Sequence, residues 1–93
     1  MNVRHHLEMS LSREEFFRLL PAAVGSFAVE GDTIGPADGT GGWLIRLTPL
    51  ADHRVGSVAV PRHRIEIVLE DPAGSEAEDF MDRFRRGFLR GGG

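Results

Sequence analysis

The side chains with the most chemical potential are four histidines, fourteen carboxylates and eleven basic residues, every one of the last an arginine. His5 and His6 stand just before Glu8 in HHLE, and imidazole with carboxylate is a donor set suited to zinc and similar ions. The local pattern argues against a shared site. Residues 2–10, NVRHHLEMS, alternate with period two, which predicts a strand. Neighbouring histidines then point to opposite faces. His5 would need to meet His63 across a sheet, both on its inner face. The expected fate of such a histidine is partial burial with a hydrogen bond, and no metal or cofactor site is predicted.

Nucleophilic chemistry finds little support. Cysteine is absent, so thiolate nucleophiles, thiolate metal sites and disulfides are excluded. The serines fall at helix starts, turns and strand ends, and no GxSxG elbow is present. A small enzyme would have to use His63 or a carboxylate near the glycine-rich stretch GPADGTGG at 35–42. Glycines allow backbone N–H groups to converge on an anion. A phosphate loop, however, feeds a helix and brings a lysine, whereas this stretch feeds an apolar strand pattern beginning at Trp43. It reads as a hairpin connection, and the chain as non-enzymatic.

The arginines invite a nucleic-acid reading, since the guanidinium forks onto phosphates. The formal charge of -3 opposes it, because general nucleic-acid binders carry a basic domain charge. Arginine without lysine, alongside abundant Gly, Ala and Asp, matches the codon usage of a GC-rich genome. The C-terminal DFMDRFRRGFLRGGG (79–93) reads as the end of a helix. Glu76, Glu78 and Asp79 sit early; Arg83, Arg85, Arg86 and Arg90 sit late, complementing the helix dipole. Asp79 with Arg83, and Asp82 with Arg86, are at ion-pair spacing. Gly91 is the expected cap, leaving 1–90 as a single domain and 91–93 as a flexible glycine tail. LRGGG is similar to the exposed Gly-Gly end of ubiquitin-like carriers. In those folds the end leaves a strand of a ββαββ sheet, and here it leaves a helix.

The elements that must position these residues follow from periodicity. Val3, His5, Leu7 and Met9 form the inner face of the first strand. Ser12 and Glu15 form a capping box for a helix with the stripe Phe16, Leu19, Leu20, Ala23 and Val24. Glu14 and Arg18 are spaced to pair on its wet side. Pro21 predicts a bend or restart, and Gly25 a stop. FAVEGDTI (27–34) reads as one strand with Phe27 and Val29 inward. WLIRLTPL (43–50) is the next, with Trp43, Ile45 and Leu47 inward, and ADHRV turns the chain. GSVAVPRHRIEIVLE (56–70) is a long strand whose Pro61 marks an edge or a bulge. Ser75 and Glu78 form a second capping box, opening a helix with the stripe Ala77, Phe80, Met81, Phe84 and Phe88.

The predicted order is therefore β-α-β-β-β-α. The fold class is α+β, a two-layer sandwich with an antiparallel sheet of three to four strands and both helices on one face. The segment from helix to helix is similar in order to double-stranded-RNA-binding domains. Those modules open their second helix with lysines, and here it opens SEAEDF, which would repel a phosphate backbone.

The outward sheet face is then the most informative surface. It should carry Leu44, Arg46, Arg62, Arg64, Glu66 and Val68, with Arg46 and Glu66 placed to pair across strands. Arginine beside apolar anchors fits a contact surface. No apolar run is long enough to span a membrane, and the first residues lack the apolar centre of a secretory signal, so the expected compartment is the cytoplasm. The expected function is a small protein-interaction module whose partner is another protein or a second copy meeting it through the sheet. The alternative is binding of an anion or single-stranded RNA through Arg46, Arg62 and Arg64.

Overall fold

The computed structural model describes residues 1–39 and 41–92, with the side chains of 89–92 left aside. The elements are β1 (Val3–Met9), α1 (Arg13–Val24), β2 (Phe27–Glu30), β3 (Thr33–Pro36), β4 (Trp43–Val55), β5 (Val58–Leu69) and α2 (Glu76–Gly92). The strands form one antiparallel sheet in the order β1-β5-β4-β3-β2. The fold is α+β, as the periodicity predicts, but the sheet has five strands. That also removes the likeness to RNA-binding modules, because four strands separate the helices.

The extra strand comes from 27–36. FAVEGDTI is a hairpin and not one strand. Gly31 and Asp32 make the turn, Gly31 with φ 65, and Val29 faces Ile34 across it. Positive φ suits glycine because it lacks a Cβ. Val29 does lie in the inner row with Ile34, Ile45 and Ile67. It remains 45% exposed, because β2 is the outermost strand.

The β4–β5 hairpin is longer than predicted. ADHRV does not turn the chain; β4 continues to Val55, and Gly56-Ser57 makes the turn. Leu50 faces Arg62 and His53 faces Val60, so Ala51 and Asp52 together oppose Pro61. This bulge sits where proline withholds a ladder donor. Residues 51–59 are all exposed and form an arm beyond the core, consistent with extents of 46 × 25 × 22 Å.

The helices cover one sheet face. Phe16, Leu20, Ile34, Ile45, Leu47, Ile65, Ile67, Met81, Phe84 and Phe88 form the buried centre. Phe16 stacks on Phe88 at 5.2 Å between ring centroids, and Phe84 lies 4.7 Å from Phe88. Such pairs add ~0.5–1.5 kcal/mol each beyond area burial. Gly87 lets the helices meet, with Ala23 of α1 occupying the space a side chain would take.

Local signals were decided by competition. The Ser12 Oγ accepts the Glu15 N–H at 3.1 Å, which is the serine half of the predicted capping box, and Gly25 ends α1 with φ 80. Pro21 does not break α1, which is one continuous helix; proline falls in the last turn, where it removes a single bond. The second capping box does not form. Ser75 Oγ donates to the Asp79 carboxylate at 3.0 Å, and Glu76 Oε1 accepts from the Ala73 N–H at 2.7 Å. With Asp79 so engaged, no ion pair joins it to Arg83, whose guanidinium reaches toward Gly25. Arg86 donates to the Asp82 carbonyl instead of its carboxylate. Arg18 and Glu14 are exposed and do not pair with each other, as surface pairs worth so little often fail to; nearby, Arg13 lies 4.8 Å over the Phe17 ring. Gly91 is not a cap, since α2 includes Gly91 and Gly92. Glycine costs a helix ~1 kcal/mol without forbidding it. The last residue of the expected tail, Gly93, lies outside the described residues.

Candidate functional site

The histidines do not gather. His63 is 8% exposed, and its Nδ1–H donates to the Leu11 carbonyl at 2.9 Å. This satisfies the buried polar group and ties β5 to Leu11, in the three-residue link between β1 and α1. His5 and His63 share the inner face but do not meet. His63 faces Met9, while His5 faces Ile67. His6 is on the outer face, 3.8 Å from Glu66. Among the described residues, no group of three His, Asp or Glu side chains is placed to hold a metal ion.

The outer sheet face is where charged residues and surface relief coincide. The register stacks Thr33, Arg46, Glu66 and His6 in one row, and Leu44, Val68 and Arg4 in the next. Thr48, Arg64 and Glu8 make a third. Each predicted surface residue thus lies on this face, on β4 or β5. Strand alternation does this: with Ile45, Leu47, Ile65 and Ile67 buried under the helices, their neighbours must face away.

The charges sort into engaged and free. Arg62 Nη2 donates to Glu8 Oε1 at 3.0 Å. Glu66 lies 3.8 Å from Arg4 and 3.8 Å from His6. The predicted Arg46–Glu66 ion pair does not form, although the two are register partners; Glu66 is drawn to β1 instead. No local pattern hints at this, because the neighbour of β5 on that side is a long-range pairing. Arg46 and Arg64 therefore have no hydrogen-bonding or ionic partner among the described residues, and both are exposed. They are diagonal neighbours on adjacent strands.

Beside them the surface is grooved. One groove of about 510 Å³ is lined by Arg4, Leu44, Arg46, Glu66 and Val68. A second, of about 370 Å³, continues past Leu44 to Gly35, Gly39 and Gly41. The glycine-rich stretch predicted as a loop at 35–42 thus splits: Gly35 and Pro36 belong to β3, and Ala37, Gly39 and Gly41 join them in lining the second groove, with Thr40 outside the described residues. Leu44 is 40% exposed, an apolar anchor between the two grooves.

The chain matches no protein-family model, no curated protein and no solved structure. Among the described residues, no helix is long and apolar enough to cross a membrane.

Proposed function

We propose that this chain is a non-enzymatic protein-interaction module whose outer sheet face docks an acidic, partly apolar segment of a partner protein. The observation carrying this reading is the exposed, unpartnered guanidinium of Arg46 beside the exposed Leu44 on one groove, with the second unpartnered guanidinium, Arg64, diagonal to Arg46 on the next strand. A carboxylate can take either guanidinium in a forked pair, and an aliphatic side chain can cover Leu44 and Val68.

Nucleic acid is the weaker reading. Single-stranded binders stack bases on aromatic rings, and this face carries no phenylalanine or tryptophan. Trp43 belongs to the inner face and packs on Phe80 at 5.9 Å. Glu8, Glu66 and Glu70 also stand among the arginines. Arg62, one of the three arginines of that alternative, is already held by Glu8.

The test is an amide chemical-shift titration with a soluble peptide alternating Glu and Leu, and separately with single-stranded polyuridine. The expected result is movement of Leu44, Arg46, Arg64 and Val68 with the peptide, and loss of at least about tenfold in affinity in Arg46→Glu/Arg64→Glu, since a hydrogen bond to a charged group contributes ~1.5–3 kcal/mol. Shifts on this face with polyuridine and none with the peptide would overturn the reading.

A further inference from the structure

The free edge of β1 carries a separate inference. β1 pairs only with β5, in unbroken register from Val3↔Leu69 to Met9↔His63. The direction of its backbone groups follows from bonds farther along the sheet. The Glu70 N–H donates to the Gly42 carbonyl at 3.0 Å, so Glu70 faces β4. Backbone direction alternates along a strand, so Glu66 also faces β4, while Leu69, Ile67, Ile65 and His63 face β1. The Leu47 N–H, which donates to Asp32 on the β3 side at 3.2 Å, agrees with this assignment. Val3, His5, Leu7 and Met9 therefore bond to β5. The N–H and C=O groups of Arg4, His6 and Glu8 point to the open side.

Folded proteins normally blunt such an edge with proline, lysine, a bulge or an inward charge. β1 has no proline, lysine or bulge, and its two charges, Arg4 and Glu8, lie on the outer face and are of opposite sign. The opposite edge, β2, is only four residues long. Beside β1 lies an apolar groove of about 270 Å³, lined by Leu7, Met9, Phe84 and Phe88, with Glu8 and Arg85 at its rim.

We propose that β1 pairs antiparallel with β1 of a second copy, centred on His6, so that two sheets join into one. The charge pattern of the strand selects this occupant. About that centre, Arg4 of each copy stands opposite Glu8 of the other, joining the ion pairs these two already make with Glu66 and Arg62 of their own chain, and His6 stands opposite His6. These are the residues whose backbone groups are free, so each pair exchanges two main-chain hydrogen bonds. On the inner face Val3 of one copy meets Met9 of the other and His5 meets Leu7, which brings apolar atoms into the groove under Phe84 and Phe88. Opposite charges directly across strands are favourable and like charges are not. Face-to-face association through the outer sheet surface would instead set the unpaired Arg46 and Arg64 of both copies against each other.

The test is the solution mass of the full chain, by light scattering with chromatography across the micromolar range. The expected mass is twice 10.2 kDa. Arg4→Glu alone sets one carboxylate against another, that of Glu8 in the facing copy. Glu8→Arg alone sets arginine against arginine. Each single variant is expected to be a monomer. Mixing the two restores complementary pairs, so a one-to-one dimer returns. His6→Pro removes an edge donor that β5 does not use, and it is expected to give a folded monomer with native circular dichroism. A wild-type chain that stays at 10.2 kDa throughout, or single variants that remain dimeric, would overturn the proposal. Arg46→Glu/Arg64→Glu is expected to stay dimeric, so failure here and failure of the docking face are separately visible.

Discussion

Replacing Gly87 by alanine sets two physical effects against each other. In an open helix the change stabilises by ~0.8–1.0 kcal/mol, because alanine loses less backbone entropy. Here a Cβ would lie 2.6 Å from the Ala23 Cα, 2.7 Å from its nitrogen and 2.8 Å from its Cβ. Ordinary contact begins near 3.4 Å, so the helices must separate by about 0.8 Å at their crossing, given the 2.6 Å contact. Two of those three atoms are backbone and cannot rotate away. Overpacking costs ~1–3 kcal/mol, sometimes more, and a backbone clash belongs at or above the upper end of that range. We expect a net loss of about 2 kcal/mol, which lowers Tm by about 8–16 °C in a domain of this size. Thermal and urea melts of Gly87→Ala measure it. Adding Ala23→Gly removes only the 2.8 Å contact and should recover little. A Gly87→Ala protein as stable as wild type, or more so, would refute the argument that α1 and α2 touch at this point.

Ser12→Ala removes the oxygen that accepts the Glu15 N–H and should cost about 1 kcal/mol, read as a Tm lower by roughly 4–8 °C. Phe84→Ala takes away a ring that is 1% exposed and touches Phe80 and Phe88; a loss of about 3–5 kcal/mol is expected in urea melts, and a loss under about 1 kcal/mol would show that the ring is not central. Arg46→Glu/Arg64→Glu should leave stability within about 0.5 kcal/mol of wild type, since neither side chain has a partner to lose.

Where side chains follow one unbroken period, the sequence was a good guide. The stripes Phe16, Leu20, Ala23 and Phe80, Phe84, Phe88 place both helices, and the alternation of Ile65, Ile67 and Leu69 fixes the face of β5. Two of the misses are hairpin turns. Gly31-Asp32 and Gly56-Ser57 are two-residue hairpin turns of a composition that signals hairpins, but FAVEGDTI reads as one strand when Phe27 and Val29 alone set its phase, and ADHRV competes as the turn of the second hairpin. A two-residue turn moves the alternation by one position: Val29 and Ile34, five apart, share the inner face, so the reversal is marked only by the change of phase at Ile34. The candidate face was legible residue by residue because alternation fixed it. Its charge pairing was not, since which carboxylate meets which arginine depends on β1 lying beside β5, a contact between distant parts of the chain. Gly87 was invisible for a related reason: its role appears only when Ala23 is set against it.

The bulge opposite Pro61 divides the β4–β5 hairpin into a part that holds the domain together and a part that does not. Past it, residues 51–59 are wet on both sides, with Val55 60% and Val58 59% exposed at the tip. A bare two-stranded ribbon is marginal by itself, and an exposed loop tip accepts inserted sequence readily. The Gly56-Ser57 turn is thus a natural attachment point, where a spectroscopic tag or an affinity epitope can be spliced without disturbing what lies under the helices.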